Sequence, residues 1–485
     1  MGRGIAARVK RAYLPTIFLI VLALLYVLLS DFSFTPVVFL SILLLIILAS
    51  KNELFREQLI YSWEWRTIDG IIIGALSLLY IVIGVYNLPD FPHRRHHFIS
   101  FFLFPSEKIW FSGLLAIIAV SFMIVLFVHF LQGEKKQIGE AFNEEKALKI
   151  LTTYGGNSDS QLIFLKDKRM FAYEKDGEPT VLLQFACFNN KCIVMGDPSG
   201  KKEDFPEAIE AFIEETDRLC YLPVFYETSE EIVMILHEFG YDFIKMGEEA
   251  YVDLNSFTTS GKKMKGTRAV LNRIEREGFT FDVLQPPFST EQMSTFKNIS
   301  DNWLGSRKEK GFSLGFFSED YLQRAPIAVV KNTQEEIVAF ATIMPTYTNN
   351  KVGTIDLMRY DPKKAPSGSM DFLFLHLFAY MKEEHIQWFN LGMAPLSNVG
   401  TSRKSFLQER IAYLVYEFGS HFYSFHGLRE YKSKYATNWV SRYTLYSRDS
   451  WIAYVMIALL IIDNAPVEQT QGRISGLKKW IRRKY

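Results

Sequence analysis

The segment 353–400 reads GTIDLMRYDPKKAPSGSMDFLFLHLFAYMKEEHIQWFNLGMAPLSNVG and has the pattern of a strand, a helix and a second strand. Its apolar residues predict a strand at 354–359, an amphipathic helix at about 370–384 and a strand at 388–391. Polar and turn-forming residues crowd just past the second strand. Because ligands of α/β sheets collect at the carboxyl ends of strands, we expect the active site here.

Two charged side chains, Asp356 and Arg359, interrupt the otherwise apolar first strand. A charge in a buried strand is unfavourable unless it is paired or used in chemistry. We therefore treat both as candidate functional residues, with a structural ion pair to another group as the alternative for each. Since the two are three positions apart, a regular strand would place them on opposite faces.

The length of 485 residues predicts at least two domains, because a single hydrophobic core stops growing well below that size. The three cysteines, Cys187, Cys192 and Cys220, have no CxxC spacing and no neighbouring histidine cluster. They are typical of a reducing compartment and indicate neither a disulfide framework nor a zinc site. The chain also lacks a P-loop, a GxSxG elbow and an HExxH motif, so the sequence predicts neither a metal nor a cofactor.

Four apolar runs, at residues 13–30, 36–50, 68–88 and 110–131, predict four transmembrane helices. Basic residues precede the first run, lie between the second and third, and follow the fourth. By the positive-inside rule, both termini and the rest of the chain are expected on the cytoplasmic side of a multi-pass membrane protein. The loop containing HRRHH at 93–97 would face the other side, and we interpret it as a solvated loop rather than a metal site.

Beyond the fourth run, strand-like and helix-like patterns alternate. They predict two α/β lobes, at residues 140–257 and 258–450, which follow a membrane domain at 1–135 and precede a last segment at 451–485. One of the predicted strands of the first lobe spans residues 162–165.

The last segment contains an apolar run at 451–462 and a basic tail at 473–485. The run is too short to span a bilayer, so we expect it to pack on the domain or to lie at the membrane interface. The tail either attracts anionic lipid headgroups or simply keeps the chain soluble.

A predicted helix at 262–277 carries a stripe of basic side chains. Such a stripe suits a polyanion, either RNA or an anionic membrane, and a solvated helix face is the alternative. The candidate electrostatic contacts are Lys262, Lys263, Lys265 and Arg268.

Seven runs of the sequence are long enough to be compared with known families: GDPSG (196–200), GEEAYVDL (247–254), SDNWLGSRKEKGFSLGFFSEDYLQRAP (300–326), VAFATIMPTY (338–347), TIDLMRYDPKKAPSGSMDFLF (354–374), FNLGMAPLSNVG (389–400) and GLREYKSKYATNW (427–439). They resemble the catalytic domain of the bacterial phosphatidylglycerol lysyltransferases, the multiple peptide resistance factors. The resemblance covers residues 140–450. It implies an α/β domain of tandem GNAT-like acyltransferase lobes behind an N-terminal α-helical membrane domain.

The activity that the resemblance implies is transfer of an aminoacyl group, lysyl by the family's default, from aminoacyl-tRNA to phosphatidylglycerol in the bacterial cell membrane. The product makes the membrane less anionic and confers resistance to cationic antimicrobial peptides. Aminoacyl-tRNA is the donor substrate, and no cofactor is implied.

The resemblance also assigns roles to single residues. Asp356 and Glu248 match carboxylates placed around the amino group or the accepting hydroxyl, and Arg359 is a candidate for contact with a phosphate or an oxyanion. For Glu248 and Glu249 a purely structural role is the equal alternative. The remaining candidates would bind substrate: Asp371, Asn390, Gly392, Ser397, Asn398, Arg429, Lys432 and Lys434. From its position alone, Asp371 equally fits a helix N-terminal charge.

Two other functions stay open. A peptidoglycan cross-bridge aminoacyltransferase would share the tandem architecture but modify a lipid-linked peptide amine, and a non-catalytic membrane scaffold would bind lipid or RNA. The sequence also leaves open a homo-oligomeric state and the choice between lysine, alanine and arginine. Longer family members carry a further membrane portion linked to flipping of the product lipid, so four spans predict synthesis without flipping.

Overall fold

The computed structural model describes residues 1–30, 34–87, 107–262, 264–349, 351–400, 402, 404–407, 409–410, 425–448 and 450–464. The chain divides into two compact units, one formed by residues 1–138 with 214–221 and the other by residues 139–213 with the chain from 222 onwards. The predicted loop at 93–97, Lys263 and the basic tail at 473–485 lie outside the described residues.

Among the described residues of the first unit, four helices are long and apolar enough to cross a membrane. After the short helix α1 (Gly2–Ala6), they are α2 (Tyr13–Leu29), α3 (Phe34–Ala49), α4 (Trp63–Asn87) and α5 (Glu107–Gln132). They coincide with the four predicted runs. Large apolar side chains on them stay exposed, Leu29 by 84% and Tyr26 by 72%, as expected of helices that face lipid.

The second unit is built around one continuous sheet, which has twelve strands within the described residues. The strands are β1 (Arg169–Lys175), β2 (Glu178–Phe188), β3 (Lys191–Met195), β4 (Ser199–Gly200), β5 (Leu222–Thr228), β6 (Tyr241–Asp253), β7 (Thr280–Leu284), β8 (Ile327–Lys331), β9 (Ile337–Met344), β10 (Val352–Tyr360), β11 (Trp388–Pro395) and β12 (Asn438–Ser447). Their order is β1-β2-β3-β5-β12-β6-β11-β10-β9-β8-β7, and β4 pairs with β2.

Both faces of the sheet carry a hydrophobic core. Ile327 and Val329 of β8 enter one core, whereas Ala328 and Val330 enter the other, because successive side chains of a strand point to opposite faces. The α-helices that follow α5 in the described residues are α6 (Glu144–Tyr154), α7 (Phe205–Arg218), α8 (Glu230–Glu238), α9 (Lys265–Arg276), α10 (Thr290–Leu304), α11 (Glu319–Leu322), α12 (Ser369–Glu383), α13 (Phe425–Ser433) and α14 (Ile452–Asp463).

Strand β12 joins the two halves of the sheet. It lies between β5 and β6, although it follows β11 in the sequence. Its antiparallel pairing with β6 runs from Asn438 opposite Tyr251 to Ser447 opposite Tyr241. This strand, the last one within the described residues, is therefore flanked on both sides by strands from the first predicted lobe.

Two local features of the second unit bear on the predictions. Residues Ser160–Leu165 form a buried 3₁₀ helix, so the predicted strand at 162–165 is wrong; a short apolar run does not distinguish a buried strand from a buried helical turn. The apolar run at 451–462 forms α14, whose Val455, Met456 and Leu459 are fully buried in the core of the domain. Packing on the domain is thus confirmed for this run.

Candidate active site

The strands β10 and β11 run parallel but pair over three positions only, from Val352 opposite Trp388 to Thr354 opposite Asn390. Beyond these positions each strand has a register shift with its other neighbour, between Ile355 and Met358 in β10 and between Asn390 and Met393 in β11. Bulges of this kind bend a strand and interrupt its pairing. The two strands therefore part and leave a cleft at their carboxyl ends, where the sequence predicted a site.

The cleft has a volume of about 320 Å³. Its lining comes from both parted strands, the loop before the 3₁₀ helix, the end of β5, a loop after α10, and helices α13 and α14. The lining residues are Ser158, Asp159, Leu162, Tyr226, Glu227, Glu249, Lys310, Ser313, Leu314, Met344, Thr354, Ile355, Asp356, Met358, Phe374, Asn390, Leu391, Gly392, Met393, Pro395, Leu428, Tyr431, Lys432, Leu460, Asp463 and Asn464.

Acidic groups outnumber basic groups in the cleft. Among its described lining residues are five carboxyl groups, those of Asp159, Glu227, Glu249, Asp356 and Asp463, against the two lysines Lys310 and Lys432. No three His, Cys, Asp or Glu side chains of the described residues are grouped so as to hold a metal ion. A recess rich in carboxyl groups favours a cationic guest, because the guest stabilises their ionised form.

Burial makes several of these carboxyl groups hard to ionise. Burial, reinforced by the charge of Glu249, raises the pKa of Asp159 to about 7. Burial also raises the pKa of Asp463 to about 6, although hydrogen bonds from Ser313 oppose the rise. The pKa of Glu227 is raised by burial first and then by the negative charges of Asp159 and Glu249.

Asp356 lies on the wall that β10 contributes. Its carboxylate accepts hydrogen bonds from the Gly315 N–H at 2.9 Å and from the Tyr321 hydroxyl at 3.1 Å. Burial raises the pKa of Asp356, and the two hydrogen bonds partly offset that rise. A Cβ atom at Gly315 would collide with the carboxylate, so the loop approaches Asp356 as closely as a glycine allows.

Arg359 is buried outside the cleft lining. Its guanidinium makes a two-pronged ion pair with Glu309, with both N···O distances at 2.7 Å, and lies 5.1 Å from the ring of Trp303. Glu309 belongs to the same loop as Gly315, which contacts Asp356. The prediction that Asp356 and Arg359 lie on opposite faces is therefore wrong, because the register shift in β10 interrupts the regular alternation.

Asn390 and Glu249 form the opposite wall. The Asn390 side-chain amide donates to a Glu249 carboxylate oxygen at 2.6 Å, and its carbonyl oxygen accepts from the Gly392 N–H at 2.7 Å. Glu249 also accepts from Arg442 Nε at 2.7 Å. The Arg442 guanidinium also lies 3.6 Å from the Asp197 carboxylate, so one half-buried guanidinium holds two carboxylates.

Lys432 brings a positive charge to this wall. Its ammonium donates to the Met393 carbonyl at 2.8 Å and lies near Gly392, whose φ of +78° suits a residue without a side chain. Burial lowers the pKa of Lys432 to about 8, and the nearby charges of Glu249 and Glu227 limit the fall.

Other candidates gather in a second cluster around Glu248, which is buried but does not line the cleft. Glu248 accepts from Ser397 at 2.9 Å, from Asn398 at 3.0 Å and from Lys245 at 2.7 Å, and it forms an ion pair with Arg429. Burial tends to raise the pKa of Glu248, but the bonds from Lys245, Asn398, Ser397 and Arg429 together lower it to about 2. The Glu248 carboxylate therefore stays ionised at neutral pH.

Asp371 and Lys434 form a third group, an ion pair 3.4 Å long beside the start of α9. They line a separate cavity of about 350 Å³ together with Met264, Gly266, Thr267 and Val270. Of the cationic stripe, Lys262 and Lys265 are exposed, whereas Arg268 is half-buried and donates to the Gly261 carbonyl at 2.9 Å.

Five charged residues of the cleft or its wall were missed by the sequence analysis: Asp159, Glu227, Lys310, Asp463 and Arg442. Glu227, Asp463 and Arg442 carried the signal that identified Asp356, which is a charge within or beside an apolar run. Asp159 and Lys310 lie in loops, where a charged side chain is ordinary and carries no such signal.

The parted parallel strands and the charged cleft between them define an α/β domain built on one mixed sheet, in a chain that also has four membrane-capable helices. Residues 148–446 match the family described as "Phosphatidylglycerol lysyltransferase, C-terminal". The chain belongs to this family. The predicted fold class, apolar N-terminal helices followed by an α/β domain, and the family resemblance are both confirmed.

Named relatives agree with this assignment. The phosphatidylglycerol lysyltransferase of Bacillus subtilis (strain 168) is 40% identical over 453 residues, which are 93% of this chain and 52% of the relative. That of Staphylococcus aureus (strain COL) is 34% identical over 452 residues, 92% of this chain and 52% of the relative. The chain thus spans about half the length of these relatives.

Solved structures give the same result. The structure of L-PGS from Bacillus licheniformis has 48% sequence identity and a TM-score of 0.60, covering 68% of this chain and 99% of that one. A C-terminal domain from Agrobacterium fabrum has 32% identity and a TM-score of 0.59, covering 66% of this chain and 96% of that domain.

Proposed function

We propose that the protein transfers an aminoacyl group, lysyl in the first instance, from aminoacyl-tRNA to a hydroxyl of phosphatidylglycerol. The observation that carries the proposal is that five carboxyl groups line the cleft against two lysines. Burial opposes the ionisation of most of these groups, and a cation that enters the cleft would favour their charged form. A lysyl ester brings two ammonium groups, which such a cleft would bind far better than a neutral or anionic acyl group. The names of the relatives supply the lipid acceptor.

The reaction exchanges one ester for another. The bond between the aminoacyl carbonyl and the tRNA ribose oxygen breaks, a bond to the lipid hydroxyl oxygen forms, and the hydroxyl proton passes to the ribose oxygen. We assign Asp356 to accept that proton, because its raised pKa makes it a stronger base than an ordinary carboxylate. Lys432 lies on the facing strand's wall and would stabilise the oxyanion by a charged hydrogen bond.

The remaining candidates support the cleft in this scheme. Glu249 and Asn390 would hold an ammonium group, since both side chains line the cleft and carry oxygen atoms that can accept further hydrogen bonds. Arg359 would act indirectly, because its ion pair with Glu309 fixes the loop that binds Asp356. Glu248, with Ser397, Asn398 and Arg429, would keep the segment after β11 in place.

The two substrates would reach the domain from different environments. Four membrane-capable helices would hold it in the bacterial cell membrane beside phosphatidylglycerol, with the sheet domain in the cytoplasm, where charged tRNA is present. Lys262 and Lys265 would contact the tRNA backbone. The proposal includes the domain limits 1–135, 140–257, 258–450 and 451–485. Its physiological outcome would be resistance to cationic antimicrobial peptides.

The test is to express the full chain in a bacterial host that lacks aminoacylated lipids and to analyse the lipids by thin-layer chromatography and mass spectrometry. We expect a new ninhydrin-positive phosphatidylglycerol derivative whose mass identifies lysine. A derivative carrying alanine or arginine would correct the amino acid. If the well-expressed protein produced no such lipid, the proposal would be wrong, and aminoacyl transfer to a lipid-linked peptide would be assayed next.

A further inference from the structure

Two cysteines of the second unit lie directly opposite each other. The hairpin β2–β3 pairs Cys187 with Cys192, and the Cys187 thiol donates to Cys192 Sγ across 3.1 Å. We infer that this pair is a modification site at which a reversible disulfide forms when a low-molecular-weight disulfide oxidises the protein.

The backbone geometry suits the bond. Directly opposed residues of an antiparallel pair have Cα atoms about 4.5–5.5 Å apart, which is within the roughly 4.4–6.8 Å range of disulfides. The two sulfur atoms would have to approach from 3.1 Å to about 2 Å. A rotation of the two side chains about their Cα–Cβ bonds supplies much of this movement. The backbone hydrogen bonds between β2 and β3 therefore need not change.

The exposure of the two residues sets the order of the steps. Cys187 is exposed, whereas Cys192 is buried, so an oxidant reaches Cys187 first. The Cys187 thiolate attacks glutathione disulfide, forming a mixed disulfide and releasing one glutathione thiolate. The Cys192 thiolate then displaces the second glutathione. The protein loses two protons and two electrons, and the oxidant leaves as two thiols.

The position in the fold gives the bond a structural effect. Cys192 is near the start of β3, whose last residue, Met195, pairs with Tyr226 of the cleft lining. A disulfide would fix β2 to β3 at the hairpin end and so stiffen a strand that supports the cleft wall. Cys220 follows α7, is not part of this hairpin and serves as an internal control.

The experiment uses the full-length protein in detergent, incubated with glutathione disulfide, blocked with iodoacetamide under denaturing conditions and digested with trypsin without reduction. Trypsin cuts after Lys191, between the two cysteines, and so yields peptides 176–191 and 192–201. We expect mass spectrometry to find these peptides joined, two hydrogens lighter than their sum, and separated again by dithiothreitol. Cys220→Ser should give the same joined pair, and Cys187→Ser should not.

Two results would overturn the inference. One is a stable glutathione adduct on Cys187 with Cys192 still alkylated by iodoacetamide, which would mean that the second step does not occur. The other is a joined pair involving Cys220 or a second copy of the chain. Because the wild-type peptide map decides between these results, a failure of either variant to fold would not affect the conclusion.

Discussion

The carboxylate of Asp356 is held by two donors that a neutral amide could also satisfy. In Asp356→Asn the amide oxygen can still accept from Gly315 and the amide nitrogen can donate to the Tyr321 oxygen. We therefore expect a folded protein whose lipid product falls by at least about 100-fold, because the proton acceptor is lost. Product formation is measured by lipid mass spectrometry and folding by the thermal transition.

The matched control for this change is Asp320→Asn, which removes an exposed carboxylate whose partner is Lys166 on the surface. It should leave both product and thermal transition unchanged. If Asp356→Asn retained near-normal turnover, Asp356 would have no part in proton transfer.

The raised pKa of Asp159 predicts how stability depends on pH. Because folding raises this pKa from its ordinary value near 4 to about 7, the folded state binds the proton more tightly than the unfolded state. The contribution of Asp159 is therefore neutral below about pH 4, becomes unfavourable as the pH rises to about 7, and stays so above it. Replacing Asp159 by asparagine should remove this penalty.

We expect Asp159→Asn to raise the free energy of unfolding at pH 8 by up to about 4 kcal/mol, since one pKa unit corresponds to about 1.4 kcal/mol, and to have little effect at pH 4. Denaturant unfolding at the two pH values measures the difference. Asp176→Asn, at an exposed turn, is the control and should show no such pH dependence. An equal effect of Asp159→Asn at both pH values would contradict the assignment.

Single residues were predictable from sequence where a charge stood in an apolar pattern. Asp356 was found in this way, and Asn390, Gly392 and Lys432 were added by the family resemblance; all four line the cleft. The separation of Glu248 from Glu249 was not predictable, because it depends on which face of β6 points to the cleft. The face of strand β10 on which Arg359 lies was not predictable either, because a single sequence does not show where a β-bulge occurs.

Strand β12 contributes the half-buried Arg442, which holds Glu249 and Asp197 together. We expect Arg442→Gln to lower the free energy of unfolding by about 3 kcal/mol, because it leaves buried carboxylates without their cation. Chemical denaturation measures this. Arg448→Gln, which breaks an exposed ion pair near the end of the same strand, should cost less than about 1 kcal/mol. Equal losses would show that Arg442 is no more than a surface charge.

The first residue of helix α9, Lys265, and Lys262 in the segment before the helix supply the proposed tRNA contact. In the double variant Lys262→Glu, Lys265→Glu we expect weaker binding of tRNA and a salt dependence that is shallower by about 1 in log–log slope per lysine. Filter binding over a range of salt concentrations measures both quantities. Arg268 is left unchanged because it bonds to backbone carbonyls.

The charge-matched control is Lys149→Glu, Lys202→Glu, which alters two exposed lysines of other elements. If it weakened tRNA binding as much as the α9 variant did, the effect would come from net charge and the contact surface would lie elsewhere.

Helices and strands with a clear period were placed well from the sequence, as α12 and β10 show. The 3₁₀ helix at Ser160–Leu165 was not, since all six of its residues are buried and it has no polar face to reveal its period. Strand β12 was overlooked because its polar residues Ser441 and Arg442 break the alternation, and they do so where β12 meets the buried acids of β6.

Taken together, the four apolar helices predict integral association with the bilayer. The full chain should remain in the membrane pellet after extraction at alkaline pH, because about 20 apolar residues per helix hold each span more strongly than surface charge does. Fractionation and immunoblotting measure this. Release into the supernatant would mean that the helices bind the membrane surface or another protein.

At the scale of the whole molecule, the sequence predicted the division into apolar helices and an α/β domain, because the composition changes sharply near residue 140. It did not predict that both halves of the domain share a single sheet. Strand pairing between residues about 200 positions apart, such as Tyr443 with Thr228, leaves no signal in composition or period.

The insertion of β12 between β5 and β6 also has a consequence for biosynthesis. When the ribosome has made residues up to Asp253, both neighbours of β12 exist but the strand between them does not. The nascent domain therefore cannot complete its sheet until residue Ser447 has left the exit tunnel, and until then the facing edges of β5 and β6 have no partner. The chain must pass through a stage in which these edges are open to wrong pairing, so a chaperone that shields strand edges would be needed longest for this half of the molecule.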